Sequence, residues 1–427
     1  MKVLHVSPSF YPSTAYGGTI RSGYGLCRGL AELGCDVRVL STDSDGIGHV
    51  LDVTNNWDQQ IDSFRVRYCH KWFRHSISPS LLWTLPSYVQ WANVVHLTAV
   101  YSFPTFPALF WARRFRKPIV WSTRGALQRW DGSSRPALKW IWESACQRLA
   151  VRSKLILHAT SQLEAERNSE RFPDLRTVVI PNGIDLPKNP QRTDSNGKLR
   201  LLYLGRLDPI KGVDALLEAC AIVERLELDW QLNIAGSGMP TYIKLLKSKV
   251  QELGLSQRVR FVGEVSGRNK EVLFTETDVL VLPSHVENFA IVVAESLAHA
   301  IPVIASKGTP WKGLETNHCG LWVDNHPESL AAAIRGIQTM PLREMGQQGR
   351  RWVEEAFSWR TVSNEMLALY RECSHLDPIG RDRTPEQSFC QRLVSRWLRS
   401  NATTRFEKLR RTLLELQIES ARDDFHT

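Results

Sequence analysis

Two carboxylates interrupt a nearly continuous apolar stretch, VENFAIVVAESLAHAIPVIAS, at residues 286–306. Glu287 lies near its start, and Glu295 follows after seven intervening residues. An unpaired carboxylate in apolar surroundings is costly, so Glu295 must be paired, reach solvent or bind a ligand. The sequence leaves two alternatives equally open for Glu295: a salt bridge with a Lys or Arg, or a ligand contact.

The spacing of the two carboxylates suits an extended, polyhydroxylated ligand. We expect a helix to begin near Phe289, which places Glu287 in the preceding loop and Glu295 roughly 12 Å further along. Carboxylates at that separation can accept O–H bonds from opposite ends of one ligand. The free backbone N–H groups near Asn288, Phe289 and Ala290, together with the helix dipole, favour a negative group between them.

Two cations flank a turn in LGRLDPIKG, residues 204–212, between a predicted strand and a predicted helix. Arg206 and Lys211 at the carboxyl end of a strand suit an anion such as a diphosphate. Two solvated surface charges are the alternative, and for this motif alone they are the more common outcome.

Glycines occur at two other places where a ligand can approach the backbone. Gly17 and Gly18 follow the first strand and precede a helix, so they suit either a bound phosphate or a flexible turn. Gly236 and Gly238, in AGSGM, mark either a close ligand or tight packing of strand and helix. No G-x-G-x-x-G follows the first strand, which argues against a nicotinamide-binding fold.

Composition predicts a globular, cytoplasmic protein with two domains and an extension. The chain has 427 residues, 43% hydrophobic and 23% charged, without an apolar run near the roughly 18 residues of a membrane span. The eight cysteines form no C-x-x-C pair, which predicts reduced thiols and no zinc site. The net charge of +10 indicates an anionic partner, and the lack of a nucleic-acid motif argues against nucleic acid.

Short apolar strands alternate with helical segments in both halves, which is typical of parallel α/β sheets. A polar stretch at 188–198 is the best candidate for a linker, between a first domain at 1–187 and a second at 199–357. A helix at 358–374 and a basic helical tail at 375–427 follow. Two such domains leave a cleft where strand carboxyl ends and helix N-termini converge.

The motifs together resemble the retaining, nucleotide-sugar-dependent glycosyltransferases of family 4. GR-x4-KG, A-G-x-G and Glu–seven residues–Glu follow one another on the second domain, accompanied by VIPNGID, LPS and FSW. The resemblance covers about residues 1–373 and implies the GT-B fold, α/β with two facing Rossmann-like domains, the first for the acceptor and the second for the nucleotide-sugar donor. It also implies that the helix at 358–374 crosses back to the first domain. TRGAL and GTPWKGLETNHCGLWVD look most similar to members that assemble bacterial surface polysaccharides or lipopolysaccharides.

The resemblance also implies roles for individual residues. The donor would be a nucleotide-diphosphate sugar, and the acceptor a glycan or a polyprenyl-diphosphate-linked glycan. Arg206 and Lys211 would stabilise the leaving diphosphate, and Glu287 would hold the sugar. The other donor-binding residues would be Glu295, at the ribose hydroxyls, with Asn288, Phe289, Ala290, Gly17, Gly18, Gly236 and Gly238. Retention of anomeric configuration is likewise implied by the resemblance.

Two positions depart from the family pattern. Arg124 stands in STRGAL where many relatives carry histidine, so either a catalytic contribution is altered or Arg124 serves as a cation near the phosphates. His96 is another candidate for the acceptor or phosphate side, although a buried structural histidine is the more common account. Ala290 stands where relatives often have glycine, which would slightly crowd the sugar pocket.

No metal and no cofactor are expected. Arg206, Lys211 and a helix N-terminus can stabilise a leaving diphosphate in place of Mg²⁺. The D-x-D sequence Asp43–Ser44–Asp45 is interpreted as a turn rather than a metal site.

Residues 101–160 hold eleven Lys or Arg against two acids, together with five tryptophans. This chemistry suits peripheral binding to an anionic membrane surface, at the inner face of the cell membrane. The alternative is a helix with a solvated basic face and tryptophans in the core. For the activity, the alternatives are a nucleotide-sugar epimerase of the same fold or a non-catalytic nucleotide-sugar-binding subunit.

Overall fold

The computed structural model describes residues 1–376 except 14, 16, 47, 74, 75, 129–135, 152, 189, 191, 194–196 and 227. The predicted basic tail from residue 377 onward and Trp130 lie outside the described residues.

The first sheet has eight strands in the order β3-β4-β2-β1-β5-β6-β7-β8, parallel except for the β3–β4 pair. Its central strands β1 and β5 are buried almost throughout, as expected for a parallel sheet covered on both faces. The strands are β1 (Lys2–Val6), β2 (Asp36–Thr42), β3 (Asp58–Ile61), β4 (Phe64–Cys69), β5 (Val94–Thr98), β6 (Ile119–Ser122), β7 (Leu155–Ala159) and β8 (Thr177–Val179). The helices are α1 (Gly18–Glu32), α2 (Pro79–Trp91), α3 (Thr105–Arg114), α4 (Pro136–Ala150) and α5 (Gln162–Arg171).

The second sheet has six strands, in the order β11-β10-β9-β12-β13-β14, all of them parallel. Its strands are β9 (Leu199–Leu204), β10 (Trp230–Ala235), β11 (Val259–Gly263), β12 (Val279–Leu282), β13 (Val303–Ser306) and β14 (Gly320–Val323). Its helices are α6 (Val213–Glu224), α7 (Pro240–Glu252), α8 (Gly267–Thr275), α9 (Ile291–Ala298), α10 (Gly313–Thr316), α11 (Pro327–Gln338) and α12 (Leu342–Ala356).

The last described helix, α13 (Trp359–His375), returns to the first sheet and packs on α1 and β6. Its residues Met366, Tyr370 and Cys373 are buried in the core of the first sheet. A Cβ atom at Gly25 would lie 2.1 Å from the Trp359 ring, so the indole occupies the space that a side chain there would need. The first domain is therefore built from two separate parts of the chain.

The predicted fold, two α/β domains with parallel sheets, is confirmed. The β3–β4 hairpin and the edge strand β14 were not predicted, because neither has the long apolar run of a buried parallel strand. The helix expected from Phe289 begins at Ile291, since Ala290 has φ 61° and ψ 67° and lies in the left-handed region. None of the helices within the described part of the chain is both long and apolar enough to span a bilayer.

Candidate active site

The carboxyl ends of the parallel strands place the predicted motifs at one edge of each sheet. In the second sheet, Arg206 and Lys211 follow β9, while Glu287 and Asn288 follow β12. In the first sheet, the loop containing Gly17 follows β1. The segments 123–128 and 160–161 follow β6 and β7. Loops at such edges form the ligand site of open α/β sheets.

Lys211 and Glu287 form a salt bridge in this structure. Lys211 Nζ lies 2.6 Å from Glu287 Oε1, and the two side chains are 17% and 13% exposed. Ser284 Oγ donates to the same carboxylate oxygen at 2.8 Å. The backbone N–H of His285 donates to Ile210 O at 2.9 Å, which fixes the two loops to each other. The predicted sugar-binding carboxylate and one of the two predicted phosphate-binding cations are thus adjacent.

Arg206 is exposed, and its guanidinium has no hydrogen-bond or ion-pair partner among the residues that the structure describes. Its carbonyl accepts a hydrogen bond of 2.8 Å from the buried Tyr203 hydroxyl, which anchors the backbone while leaving the side chain available.

Gly236 and Gly238 support this loop through backbone packing. A Cβ atom at Gly236 would lie 1.8 Å from Gly205 O, and one at Gly238 would lie 2.0 Å from Leu207 O. The backbone at Gly205 and Leu207, on either side of Arg206, therefore lies too close to positions 236 and 238 for any residue other than glycine there. This agrees with the packing alternative, and ligand contact by the two glycines stays a prediction.

Asn288 connects the two domains across the cleft. Its Nδ2 donates to Thr160 Oγ1 at 2.8 Å, and its Oδ1 accepts from Gln128 Nε2 at 3.3 Å. A Cβ atom at Gly125, where φ is +74°, would lie 3.0 Å from Asn288 Cβ. The loop before α9 is therefore in contact with the loops after β6 and β7.

Glu164, which the sequence did not single out, organises the first-domain side of this contact. The carboxylate is 1% exposed. Oε1 accepts from Thr123 Oγ1 at 2.8 Å and Gly125 N at 2.6 Å. Oε2 accepts from Thr160 N at 2.7 Å and Thr160 Oγ1 at 2.8 Å. One buried carboxylate thus holds both loops that face Asn288.

The N-termini of α1 and α9 meet across the cleft. A Cβ atom at Gly18 would lie 3.3 Å from Ile291 Cγ2, whereas the space around Gly17, with φ +54°, is open. The Phe289 side chain is only 6% exposed and packs against Trp311 and Phe357, so any donor contact at this position is limited to the backbone.

Glu295 is paired. Its Oε1 lies 2.6 Å from Lys270 Nζ on α8 and 3.8 Å from Arg21 Nη1 on α1. Because the carboxylate is 18% exposed, it also reaches solvent. The salt-bridge alternative is realised in this structure, and binding of ribose hydroxyls by Glu295 stays a prediction.

Arg124 points into the first domain rather than into open solvent. Its Nη1 donates to Asn182 Oδ1, and its backbone has φ 53°. Burial lowers the pKa of the guanidinium, and the nearby Glu164 carboxylate opposes that shift.

His96 lies inside a directional chain of buried hydrogen bonds. His158 Nε2 donates to Ile180 O at 2.8 Å, so its Nδ1 accepts from Ser122 Oγ at 2.6 Å. Ser122 Oγ then accepts from His96 Nε2 at 2.8 Å, and His96 Nδ1 accepts from the Tyr370 hydroxyl at 2.6 Å. With its side chain fully buried, His96 does not contact the cleft, and this agrees with a structural histidine.

The D-x-D sequence fixes two loops of the first domain. Asp43 binds His70 Nδ1 at 2.7 Å and accepts from Lys71 N at 2.8 Å. Asp45 accepts from Ser13 Oγ at 2.8 Å, shortly before Gly17. Both carboxylates have local structural partners, as the interpretation of a turn requires. A reaction without a metal stays a prediction.

Comparison with known proteins agrees with this arrangement. The family model described as "Glycosyl transferases group 1" matches residues 187–357, and "Glycosyl transferase 4-like domain" matches residues 17–183. A GDP-mannose-dependent alpha-(1-6)-phosphatidylinositol dimannoside mannosyltransferase of Mycobacterium tuberculosis is 27% identical over 270 residues, covering 60% of this chain and 68% of the relative.

Two further proteins resemble the chain over most of its length. The GDP-mannose:cellobiosyl-diphosphopolyprenol alpha-mannosyltransferase of Xanthomonas oryzae pv. oryzae is 25% identical over 391 residues, covering 90% of this chain and 99% of the relative. Sucrose-phosphate synthase from Thermosynechococcus elongatus has a structure that superimposes with a TM-score of 0.68 at 22% identity, covering 87% of this chain and 98% of that chain.

Two parallel-sheet α/β domains, in contact at the edges where their strands end, define the GT-B fold. The two family models together match most of the described residues. The chain belongs to the group 1 glycosyltransferases, the family 4 type recognised in its motifs.

Proposed function

We propose that this enzyme transfers a sugar from a nucleotide-diphosphate sugar to a glycan or to a glycan carried on polyprenyl diphosphate. We further propose that transfer retains the anomeric configuration, needs no metal, and belongs to cytoplasmic assembly of a polysaccharide or lipopolysaccharide. The observation that carries the proposal is the 2.6 Å Lys211–Glu287 pair, together with the exposed Arg206, whose guanidinium has no partner among the described residues. The names of the mannosyltransferase relatives, which specify GDP-mannose and a diphosphopolyprenol, support the donor and acceptor classes.

The two cations act on the leaving group. Breaking a sugar–phosphate bond places negative charge on the departing diphosphate. A cation about 4 Å from that charge, at an effective dielectric constant near 20, stabilises it by up to about 4 kcal/mol. Only the part gained in the transition state accelerates the reaction, and about 1.4 kcal/mol corresponds to a factor of ten. Arg206 and Lys211 supply this charge at the end of β9.

Glu287 has a free oxygen for the sugar. Its Oε1 binds Lys211 and Ser284, whereas Oε2 has no partner among the described residues. A sugar hydroxyl that donates to Oε2 leaves the salt bridge intact, so Lys211 stays oriented while the donor binds. When the diphosphate arrives, Lys211 lies between two anions, and the bridge to Glu287 holds it at the strand end.

The acceptor enters from the first domain. Asn288 carries the contact between Glu287 and that domain, because its amide donates to Thr160 Oγ1. The segment 123–128 and Thr160 therefore form the acceptor-facing rim opposite the donor motifs. The converging N-termini of α1 and α9 add positive potential where the diphosphate lies.

A panel of nucleotide sugars tests the donor. A nucleotide sugar present at 100 times its Kd raises the unfolding free energy by about 2.7 kcal/mol, which thermal shift detects. The donor that stabilises the protein is then incubated with glycan and lipid-linked acceptors, with and without EDTA. The anomeric configuration of the product is read by NMR.

Each outcome distinguishes the alternatives. Glycosylated acceptor with retained configuration, formed equally in EDTA, is the expected result. Donor converted to an isomeric nucleotide sugar in the absence of acceptor would indicate an epimerase. Tight donor binding without turnover on any acceptor would indicate a binding subunit, and inverted product or EDTA-sensitive transfer would contradict the corresponding part of the proposal.

A further inference from the structure

Three neighbouring helices of the first domain expose large apolar side chains. Helix α3 packs against both α2 and α4, and the three cover one side of the first sheet. The exposed fraction reaches 90% at Trp83 of α2 and exceeds a third at every member of the set. We call this set the helical face, and it consists of Trp83, Phe106, Phe110, Leu138, Trp140 and Ile141.

The apolar side chains lie near the starts of the helices, and the exposed cations lie near the ends. Phe106, Phe110 and Arg114 follow one another at four-residue spacing along α3, which aligns them in one stripe. Helix α4 runs alongside α3 in the same direction: the Phe106 and Trp142 rings lie 6.3 Å apart, and Arg113 Nη1 donates to Arg148 O at 3.3 Å. The apolar starts of α3 and α4 therefore lie side by side, and so do their basic ends.

Among the described residues of α2, α3 and α4, all the exposed charged side chains are basic. Arg114 and Arg148 are exposed at the ends of α3 and α4, and Arg116 is exposed in the turn after α3. Helices α2, α3 and α4 contain one acidic residue, Glu143. Its side chain is buried and accepts a hydrogen bond from Tyr101. An anionic surface that approaches this side meets cations and no exposed carboxylate from the three helices.

The starts of these helices lie at the same edge of the first sheet as the candidate active site. Each helix follows a strand and runs back along the sheet, so it begins at the edge where the strands end. Thr160, which contacts Asn288, lies at that edge. The apolar part of the helical face therefore borders the acceptor-facing rim of the cleft.

We propose that the helical face docks on an anionic lipid bilayer. Exposed tryptophan and phenylalanine enter the boundary between headgroups and acyl chains, and the arginines, roughly 12 Å further along each helix, reach lipid phosphates. A second copy of the chain fits this face poorly, because it would bring the same cations together. Docking in this orientation turns the rim of the cleft towards an acceptor held in the membrane, and it does not depend on which sugar is transferred.

Vesicle binding by the full chain tests the proposal. We expect flotation with phosphatidylcholine vesicles that contain phosphatidylglycerol, weaker flotation with phosphatidylcholine alone, and weakening by salt. The triple variant Arg114→Glu, Arg116→Glu, Arg148→Glu should bind about 100-fold more weakly, since each cation near the surface contributes about a fivefold factor. The variant Trp83→Ser, Trp140→Ser should bind vesicles more weakly than the parent at every salt concentration, because the loss of apolar contacts is not screened by salt.

Matched controls lie on the second domain. Lys244→Glu, Arg225→Glu, Arg335→Glu reverses three exposed cations there, and Leu245→Ser removes an exposed apolar side chain from α7. Both controls should change vesicle binding less than twofold. Thermal midpoints measured without lipid show that all variants are folded.

Three outcomes would overturn the proposal. The first is unchanged vesicle binding by both helical-face variants, which would assign any membrane affinity to another part of the chain. The second is equal loss of binding by the second-domain controls. The third is a parent protein that is dimeric by light scattering and a Trp83→Ser, Trp140→Ser variant that is monomeric, since this would make the helical face an interface between copies. A failed donor screen leaves the vesicle result unaffected, so the two proposals are tested separately.

Discussion

Asn288 of the second domain donates a hydrogen bond of 2.8 Å to the Thr160 hydroxyl of the first domain. Thr160 Oγ1 in turn donates to the buried Glu164 carboxylate at 2.8 Å. The position of the loop that precedes α9 is therefore coupled to a carboxylate in the interior of the other domain. We therefore expect Glu164 to act as a positioning residue, which holds the two loops that contact Asn288.

Glu164→Gln should disturb the site without emptying the space. Each carboxylate oxygen of Glu164 accepts hydrogen bonds from two donors, whereas the amide nitrogen of glutamine cannot accept any. At least one buried N–H or O–H group therefore loses its acceptor, at a cost of about 2 kcal/mol. We expect a lower urea midpoint and a lower kcat/KM. Glu166→Gln, at an exposed position of the same helix, is the control and should change neither. Full activity in Glu164→Gln would show that the loops after β6 and β7 need no such anchor.

Arg206→Ala should separate catalysis from stability. The guanidinium has no partner in the described protein, so its loss should leave the thermal midpoint unchanged. If Arg206 stabilises the leaving diphosphate, kcat should fall by about 100- to 1,000-fold. Steady-state kinetics at saturating donor measures this effect, and a variant with parental kcat would remove Arg206 from the mechanism.

Lys211→Met should cost both activity and stability. It leaves Glu287, 13% exposed, without its cation, which should lower the unfolding free energy by about 2 kcal/mol. In the double variant Lys211→Met, Glu287→Gln the uncompensated charge is gone, so stability should return while activity stays low. Recovery of activity in the double variant would contradict the assigned roles of both residues.

Ala290→Gly should stabilise the protein. Ala290 holds a left-handed backbone with φ 61°, which costs an L-residue about 1–2 kcal/mol and glycine nothing. Greater flexibility of glycine in the unfolded chain offsets part of this gain, so we expect about 0.5–1 kcal/mol. Ala332→Gly, at an exposed position inside α11, should destabilise by about 1 kcal/mol. Equal signs for the two changes in chemical denaturation would refute the backbone explanation.

The buried histidines of the first domain make stability depend on pH. Burial lowers the pKa of His5 to about 3 and that of His158 to about 4, and it lowers the pKa of His96 well below 6.5. Below pH 6.5 the unfolded chain binds protons at these side chains that the folded protein does not bind. The unfolding free energy should therefore fall as pH decreases from 6.5 towards 4, by roughly 1.4 kcal/mol per pH unit for each histidine.

The His5→Gln variant isolates one of these protons. Between pH 6 and pH 5 its unfolding free energy should change with a slope smaller than that of the parent by roughly 1.4 kcal/mol per pH unit. The slope reports proton uptake on unfolding. The loss of the His5 contacts to Thr98 and Cys27 changes the unfolding free energy by the same amount at every pH, so it does not alter the slope. An unchanged slope in His5→Gln would mean that His5 is protonated in the folded state.

The strands and the order of the donor motifs could be predicted because both are local: buried parallel strands appear as short apolar runs, and the motifs have fixed spacing. The partner of Glu295 could not be predicted, since Lys270 lies on another helix and the choice among nearby cations depends on packing. The start of α9 was missed because an alanine carries no sequence signal for positive φ.

Glu164 was missed for a different reason. Its helix, QLEAERNSER, is polar and resembles any solvated helix. The available signal was Ser161 followed by Glu164, the spacing of a capping box directly after a buried strand. That pattern predicts a carboxylate folded back over the helix start, although not the two loops that it holds. For the tryptophan-rich stretch the sequence left two alternatives open, a membrane-binding surface or a helix with tryptophans in the core. Among its described tryptophans Trp121 is buried and Trp140 is 57% exposed, and only the packing of α3 between α2 and α4 shows that Trp83 lies on the same side as Trp140.

The return of α13 to the first sheet has a consequence for biosynthesis. A ribosome translates the whole of the second domain before it reaches Tyr370, whose hydroxyl completes the hydrogen-bond chain at His96. Until then the face of β6 that α13 covers is exposed in the nascent first domain, although it is buried in the finished protein. The first domain therefore cannot complete its fold before the second domain has been translated. An N-terminal fragment cut at the linker would lack part of its own core.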